Sequence, residues 1–359
     1  MNTNPTSPID ARKPRFLFCG QVFTGDTVPV VGNRHLYIAD IGTHSHVQVT
    51  KGTFDVSCFT ASPNKKLAYY SKSNVIAGKS DEICSVDIAS GRSKVLHTAQ
   101  GAGHHYGELK TSPDGKQLAM VHAFDGATGV GGFKRIVVLH LQTLKVRSAG
   151  RLDETSTGWD WHGNADIRVS LADPQPNVSA VATVCVATGR GEISRSAANT
   201  ATEGTSVSFG KGISVVTRGA GDITLVAPGK AERKVTISLA MQQRMGFIPD
   251  GLSLSPLAER VNGRIVVKTA SRQNEVTAFG VMDEKLAQID YWFMSPGHTV
   301  FAPMSNLVIA WRNIPAGEKA GEPATDSGLQ WMALNRTDRW TTILRNQVAV
   351  SGERIVLLD

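Results

Sequence analysis

Ten histidines and four cysteines are the side chains here best suited to metal or nucleophilic chemistry, and their spacing decides what they can do. A divalent metal such as zinc or manganese needs three or four ligands converging at about 2.0–2.3 Å. His104 and His105 stand together and His298 occupies a comparable place further along, so these three form the candidate ligand set. His162 falls in a turn on the opposite face. Cys19, Cys58, Cys84 and Cys185 show no C-x-x-C spacing. They are read as free, mostly buried thiols of a reducing compartment.

The stretch from Asp125 to Gly132, DGATGVGG, concentrates Gly126, Gly129, Gly131 and Gly132. A phosphate cradle would need a following helix and a Lys-Ser/Thr pair, and neither is there. The stretch is instead a long surface loop, the kind that carries ligand or partner contacts on a rigid frame. Asp160 and Trp161 add a carboxylate and an aromatic ring to the candidate binding groups, with Glu108 and Asp250 further carboxylates. No pair is spaced for general acid–base work. Neither a G-x-S-x-G nucleophile elbow nor an H-E-x-x-H motif occurs. Trp159, Trp161, Trp292, Trp311, Trp331 and Trp340 are scattered, which suits packing better than base stacking.

These residues must be positioned by a repeat. Ser112-Pro113-Asp114-Gly115, between GELKT and KQLAMVH, reads as a tight turn joining two short strands. The pattern returns at Ser62, His162, Gly210, Ser255, Pro303 and Ser351. Successive anchors are 50, 50, 48, 45, 48 and 48 residues apart, an interval that fits one four-stranded blade. A second series of seven hairpins runs between the anchors, beginning at His35, Glu82, Arg135, Ala182, Asp222, Glu275 and Leu329. Their alternating apolar residues suit strands packed between neighbouring sheets.

The expected fold is all-β: a single seven-bladed β-propeller of four-stranded blades, closed by N- and C-terminal strands that share one blade. In each blade the anchors are A–B turns and the second series supplies the C–D hairpins. The closing blade is expected to take A and B from Asn346–Asp359 and C and D from His35–Thr50, which hides two sheet edges. Residues 1–34 are then an N-terminal arm, partly strand-forming, and 35–359 the propeller. FLFCGQVF and VPVV in the arm look strand-like but have no assigned place.

The 359 residues are 41% apolar and 19% charged, which excludes a disordered chain. The net charge of +7 is dispersed rather than gathered in runs. It fits a solvated basic surface, with nucleic acid or an anionic surface as weaker alternatives. The N-terminus has no apolar core for a signal peptide and no apolar run of membrane-spanning length follows. The expected location is therefore cytoplasmic, or the virion if the source is viral.

SPDGKQLAM, and SPNKKLAYYS followed by CSVDIASGR, resemble the TolB-type propeller repeat, and Trp161 falls where that family often carries Trp. The resemblance implies a fold, not an activity. Such propellers serve as binding platforms, as accessory domains of peptidases and as a few lyases. A lyase subgroup holds a metal on channel histidines, so a metal-assisted lyase or hydrolase of an acidic saccharide is the enzymatic alternative. Only under it is a divalent metal expected, and otherwise no cofactor is. The leading expectation is a non-enzymatic interaction scaffold with a protein partner or homo-oligomeric assembly, such as a phage tail nozzle or hub.

Overall fold

The computed structural model describes residues 14–20, 34–43, 45–73, 81–99, 101, 103–124, 132–152, 156–172, 178–197, 206–208, 214–218, 222–227, 229–237, 259–261, 264–270, 277–283, 287–295, 299–302, 307–314, 326–333, 341–344 and 355–358. Regular structure among them is β-strand, and no helix there is long and apolar enough to cross a membrane. The strands form seven sheets, six of four strands and one of five. All seven expected hairpins are present as adjacent strands of a sheet. The chain divides into two compact units, one built largely from residues 15–40, 46–198 and 348–359, the other largely from 199–347.

The first unit begins with β1 (Arg15–Gly20), β2 (His35–Asp40) and β3 (Ser45–Gln48). They form one sheet with the C-terminal strand Ile355–Leu357, which pairs antiparallel with β1 through Phe16↔Leu357, Leu17↔Val356 and Phe18↔Ile355. The two ends of the chain therefore share a sheet, but not two strands each. β1 lies between the C-terminal strand and β2, where a second C-terminal strand was expected. The reason is burial. Phe16, Leu17, Phe18 and Cys19 are all at most 2% exposed, and a run apolar on both faces belongs inside a sheet with a neighbour on each side.

Three sheets follow, each meandering in chain order. β4 (Asp55–Ala61), β5 (Leu67–Ser73), β6 (Glu82–Asp87) and β7 (Ser93–Thr98) make one. β8 (His104–Thr111), β9 (Gln117–Phe124), β10 (Phe133–His140) and β11 (Val146–Leu152) make the next. β12 (Ser156–His162), β13 (Asp166–Ala172), β14 (Val178–Cys185) and β15 (Gly191–Ala197) make the third. The Ser-Pro turns work as the sequence implies. Ser112 Oγ accepts from Gln117 N at 3.0 Å and donates to Asp114 Oδ1 at 2.7 Å, and Ser62 does the same with Leu67 and Asn64.

Bonds between neighbouring sheets run at about one repeat of sequence. Thr111 Oγ1 donates to the Ala61 carbonyl over 50 residues, and Asp114 N donates to Asn164 Oδ1 over another 50. Arg34 grips the buried Asp55 carboxylate through its side chain and its backbone N–H, tying the chain before β2 to β4. Between the sheets, Tyr69 and Ile83 meet Tyr106, Leu109, Leu118 and Met120, and beyond them Val121, Ile136 and Val138 meet Trp159 and Ile167.

The second unit holds three sheets. Ser206–Ser208, Ser214–Arg218, Asp222–Val226 and Arg233–Lys234 form one, and Thr299–Ala302, Leu307–Ile314, Asp326–Ala333 and Thr341–Leu344 another. The five-stranded sheet holds Thr236–Ile237, Glu259–Val261, Arg264–Ala270, Thr277–Asp283 and Gln288–Ser295, the second and third paired through Val261↔Arg264. The expected Ser255-Pro256 turn lies outside the described residues.

Candidate functional site

The register of β8, β9 and β10 builds a grid of side chains at one end of their sheet. His104 pairs with Phe124 and Tyr106 with His122 across β8 and β9. Phe124 pairs with Phe133 and His122 with Arg135 across β9 and β10. Alternate residues of a strand share a face, so His104, Tyr106, His122, Phe124, Phe133 and Arg135 stand together. The chain leaves this end of the sheet between β9 and β10 as the glycine-rich stretch. Gly103, at φ 81°, sets up the start of β8; a Cβ there would only touch the Phe124 ring, at 3.4 Å, so it is the backbone conformation that disfavours a side chain.

The hydrogen bonds order this grid. Arg135 Nε donates to His122 Nδ1 at 3.2 Å, so that nitrogen is an acceptor and the proton of neutral His122 sits on Nε2. His122 Nε2 lies 2.9 Å from His104 Nδ1 and donates to it. Neutral His104 then carries its own proton on Nε2, pointing away from His122. The chain of donors runs from Arg135 through His122 to His104. His122 is buried, and its pKa is lowered to about 4, first by burial and then by Arg135, His104 and His97. It stays neutral at neutral pH.

Aromatic rings hold the imidazoles in place. Phe124 stacks on His104 with ring centres 4.6 Å apart, and Phe133 meets His122 edge-on at 5.5 Å. Arg135 lies over the Phe133 ring at 5.0 Å. Tyr106 packs against His122 and against His97 of β7, and burial raises its pKa to about 12. Asp81, 3% exposed, accepts from Tyr106 N at 3.3 Å and faces His105 Nδ1 at 3.6 Å. Both nitrogens of His122 are engaged within the protein, so the groups left to meet a ligand are hydrogen-bond donors and ring faces.

His104 belongs to this cluster. His105, next along the strand, is turned instead to Asp81 with its side chain half exposed, so the two histidines do not converge on one point. His298, Gly126, Gly129 and Gly131 lie outside the described residues, and Gly132 is exposed immediately before β10. Among the described residues no three His, Cys, Asp or Glu side chains are grouped to hold a metal ion. Asp160 and Trp161 sit at the seam with the next sheet. Trp161 Nε1 donates to the Lys110 carbonyl at 3.0 Å, and Asp160 faces Lys110 Nζ at 3.5 Å. Trp159 beside them donates to Glu108 Oε2 at 2.8 Å, with Lys110 Nζ 4.7 Å from its ring centre.

Sequence reasoning missed Tyr106, His122 and Arg135. The signal was present: pairing Phe124 with Phe133 across the glycine stretch places His122 opposite Arg135 two residues further in.

No protein-family model matches the chain, and no curated protein does. Solved structures do. A prolyl endopeptidase aligns over 97% of this chain at 11% identity with a TM-score of 0.55, and this chain spans 50% of that protein's length. A eukaryotic initiation factor aligns over 96% of this chain and 98% of its own, at 10% identity and a TM-score of 0.53. TolB from Acinetobacter baumannii aligns over 97% of this chain and 67% of its own, at 12% identity and a TM-score of 0.44. At such identities the likeness is one of fold alone, an all-β architecture of four-stranded antiparallel sheets shared with β-propeller proteins.

Proposed function

We propose that the seven sheets close as a seven-bladed ring and that the chain acts as a non-enzymatic interaction scaffold. In this reading it is a structural component of a larger assembly, such as a phage tail nozzle or hub. The observation that carries it is the state of His122. Both ring nitrogens of His122 are engaged by Arg135 and His104, which holds the ring as a fixed part of the surface. What the site offers is recognition: a His104 donor, a guanidinium and two phenyl faces on a rigid sheet. The test is native purification from the source organism. A stable copurifying partner, or a ring of identical subunits by native mass spectrometry and electron microscopy, is expected. A clean monomer with no partner overturns the reading.

A further inference from the structure

Two clefts open between neighbouring sheets at the end opposite the histidine grid, beside the Ser-Pro turns. The first, of about 370 Å³, lies between the β4–β7 and β8–β11 sheets, and Leu67, Lys94, Leu96, Lys116, His140 and Leu141 line it. The second, of about 420 Å³, lies between the β8–β11 and β12–β15 sheets, lined by Val138, His140, Lys145, Arg147, Asn164 and Val186 among others. They are the same place one repeat apart. Leu141 N donates to the Lys116 carbonyl in the first seam and Val186 N to the Ala165 carbonyl in the second, both at the turn that ends an inner hairpin.

Their chemistry is one-sided. The basic lining residues are Lys94, Lys116 and His140 in the first cleft and His140, Lys145 and Arg147 in the second, with no carboxylate lining either. The nearest acid recorded for these cations is Asp114, 3.8 Å from Lys116 Nζ. His140 lines both clefts, and its Nδ1 accepts from Thr143 N at 3.2 Å, which leaves its other nitrogen to carry the proton and donate. Apolar walls stand between the cations of the first cleft, where Leu67, Leu96 and Leu141 are half-buried, while Val138 and Val186 beneath the second cleft are buried. Volumes in this range accept whole side chains.

We infer that these paired clefts dock an acidic segment of a partner protein, its carboxylates on the Lys, Arg and His donors and its apolar side chains on the walls. Nucleic acid fits less well: Tyr69, the aromatic ring in the lining, is only 5% exposed and offers no face for base stacking. This inference rests on the scaffold reading above and names the partner's chemistry.

The test uses the full chain and a fluorescein-labelled twelve-residue peptide of repeated Glu-Glu-Leu, read by fluorescence anisotropy. A Lys-Lys-Leu peptide and a labelled oligothymidylate are the comparison probes. Saturable binding of the acidic peptide that weakens with added salt is expected. Lys94→Glu/Lys116→Glu and Lys145→Glu/Arg147→Glu should each weaken it about tenfold or more, and Lys51→Glu/Lys134→Glu should leave it within about twofold. Equal binding by cleft and control variants overturns the inference. So does tighter binding of the oligothymidylate through the same residues. The two readings fail separately. A copurifying partner that the cleft variants retain overturns the clefts and leaves the scaffold. A partnerless monomer that binds the acidic peptide through the clefts overturns the assembly and leaves the clefts.

Discussion

At the scale of single residues, burial and hydrogen bonding set the ionisation of the groups that matter. His122 has a folded pKa of about 4, below the ordinary 6.5 of an unfolded chain, and burial lowers His35 and His97 as well. The unfolded chain therefore binds more protons than the native one between these limits, so stability falls as pH drops from about 6.5 towards 4. Urea unfolding at pH 7, 5.5 and 4.5 should show declining midpoints, and His122→Asn should flatten the decline. Arg135→Met removes a like charge and frees Nδ1. The His122 titration followed by NMR should then move above 4, and an unmoved titration would show that burial alone sets it. The thiols divide in the same way. Burial raises Cys19 to about 12 and Cys84 to about 11, whereas hydrogen bonds from Thr188 lower Cys185. A disulfide reagent on native protein should react first at Cys185, and Cys185→Ser should remove the fast phase.

At the scale of elements, the Ser-Pro turns were legible because their chemistry is local. Ser112 and Ser62 each close a loop of five residues with the same side-chain bonds. Ser112 is fully buried, so Ser112→Ala takes the side-chain acceptor from the Gln117 N–H, while Asp114 keeps its bond from Lys116 N. A loss of about 1–3 kcal/mol in urea unfolding is expected. The histidine grid was not legible by the same means. His104 and His105 are neighbours in sequence, and adjacency suggested cooperation, but a strand sends adjacent side chains to opposite faces. The partners that His104 meets come from β9 and β10, so the grid depends on two registers and cannot be read from one strand. Trp161 was legible as a feature of the repeat, but its bond to Lys110, 51 residues earlier, appears only once two sheets are side by side.

At the scale of the whole molecule, the described strands fall into seven sheets, while the joining of the two chain ends takes a form that the period alone could not specify. A four-strand period asks for four strands and is indifferent to which end supplies them. The burial of Phe16, Leu17 and Phe18 decides it, because β1 needs a neighbour on both sides. One neighbour is Ile355–Leu357, and Val356 and Leu358 pack on the cluster that holds Leu17, Leu36 and Phe59. Deleting residues 355–359 would leave the β1 edge unpaired and expose that cluster. Each buried side chain uncovered costs about 1.5–3 kcal/mol, a sum comparable with the stability of a whole domain. The truncated chain should therefore lose cooperative unfolding in urea and aggregate on purification. Leu357→Ala, which keeps the backbone pairing, should lower the midpoint while preserving a single transition. An unchanged midpoint in the truncated protein would show that β1 is held from its β2 side alone.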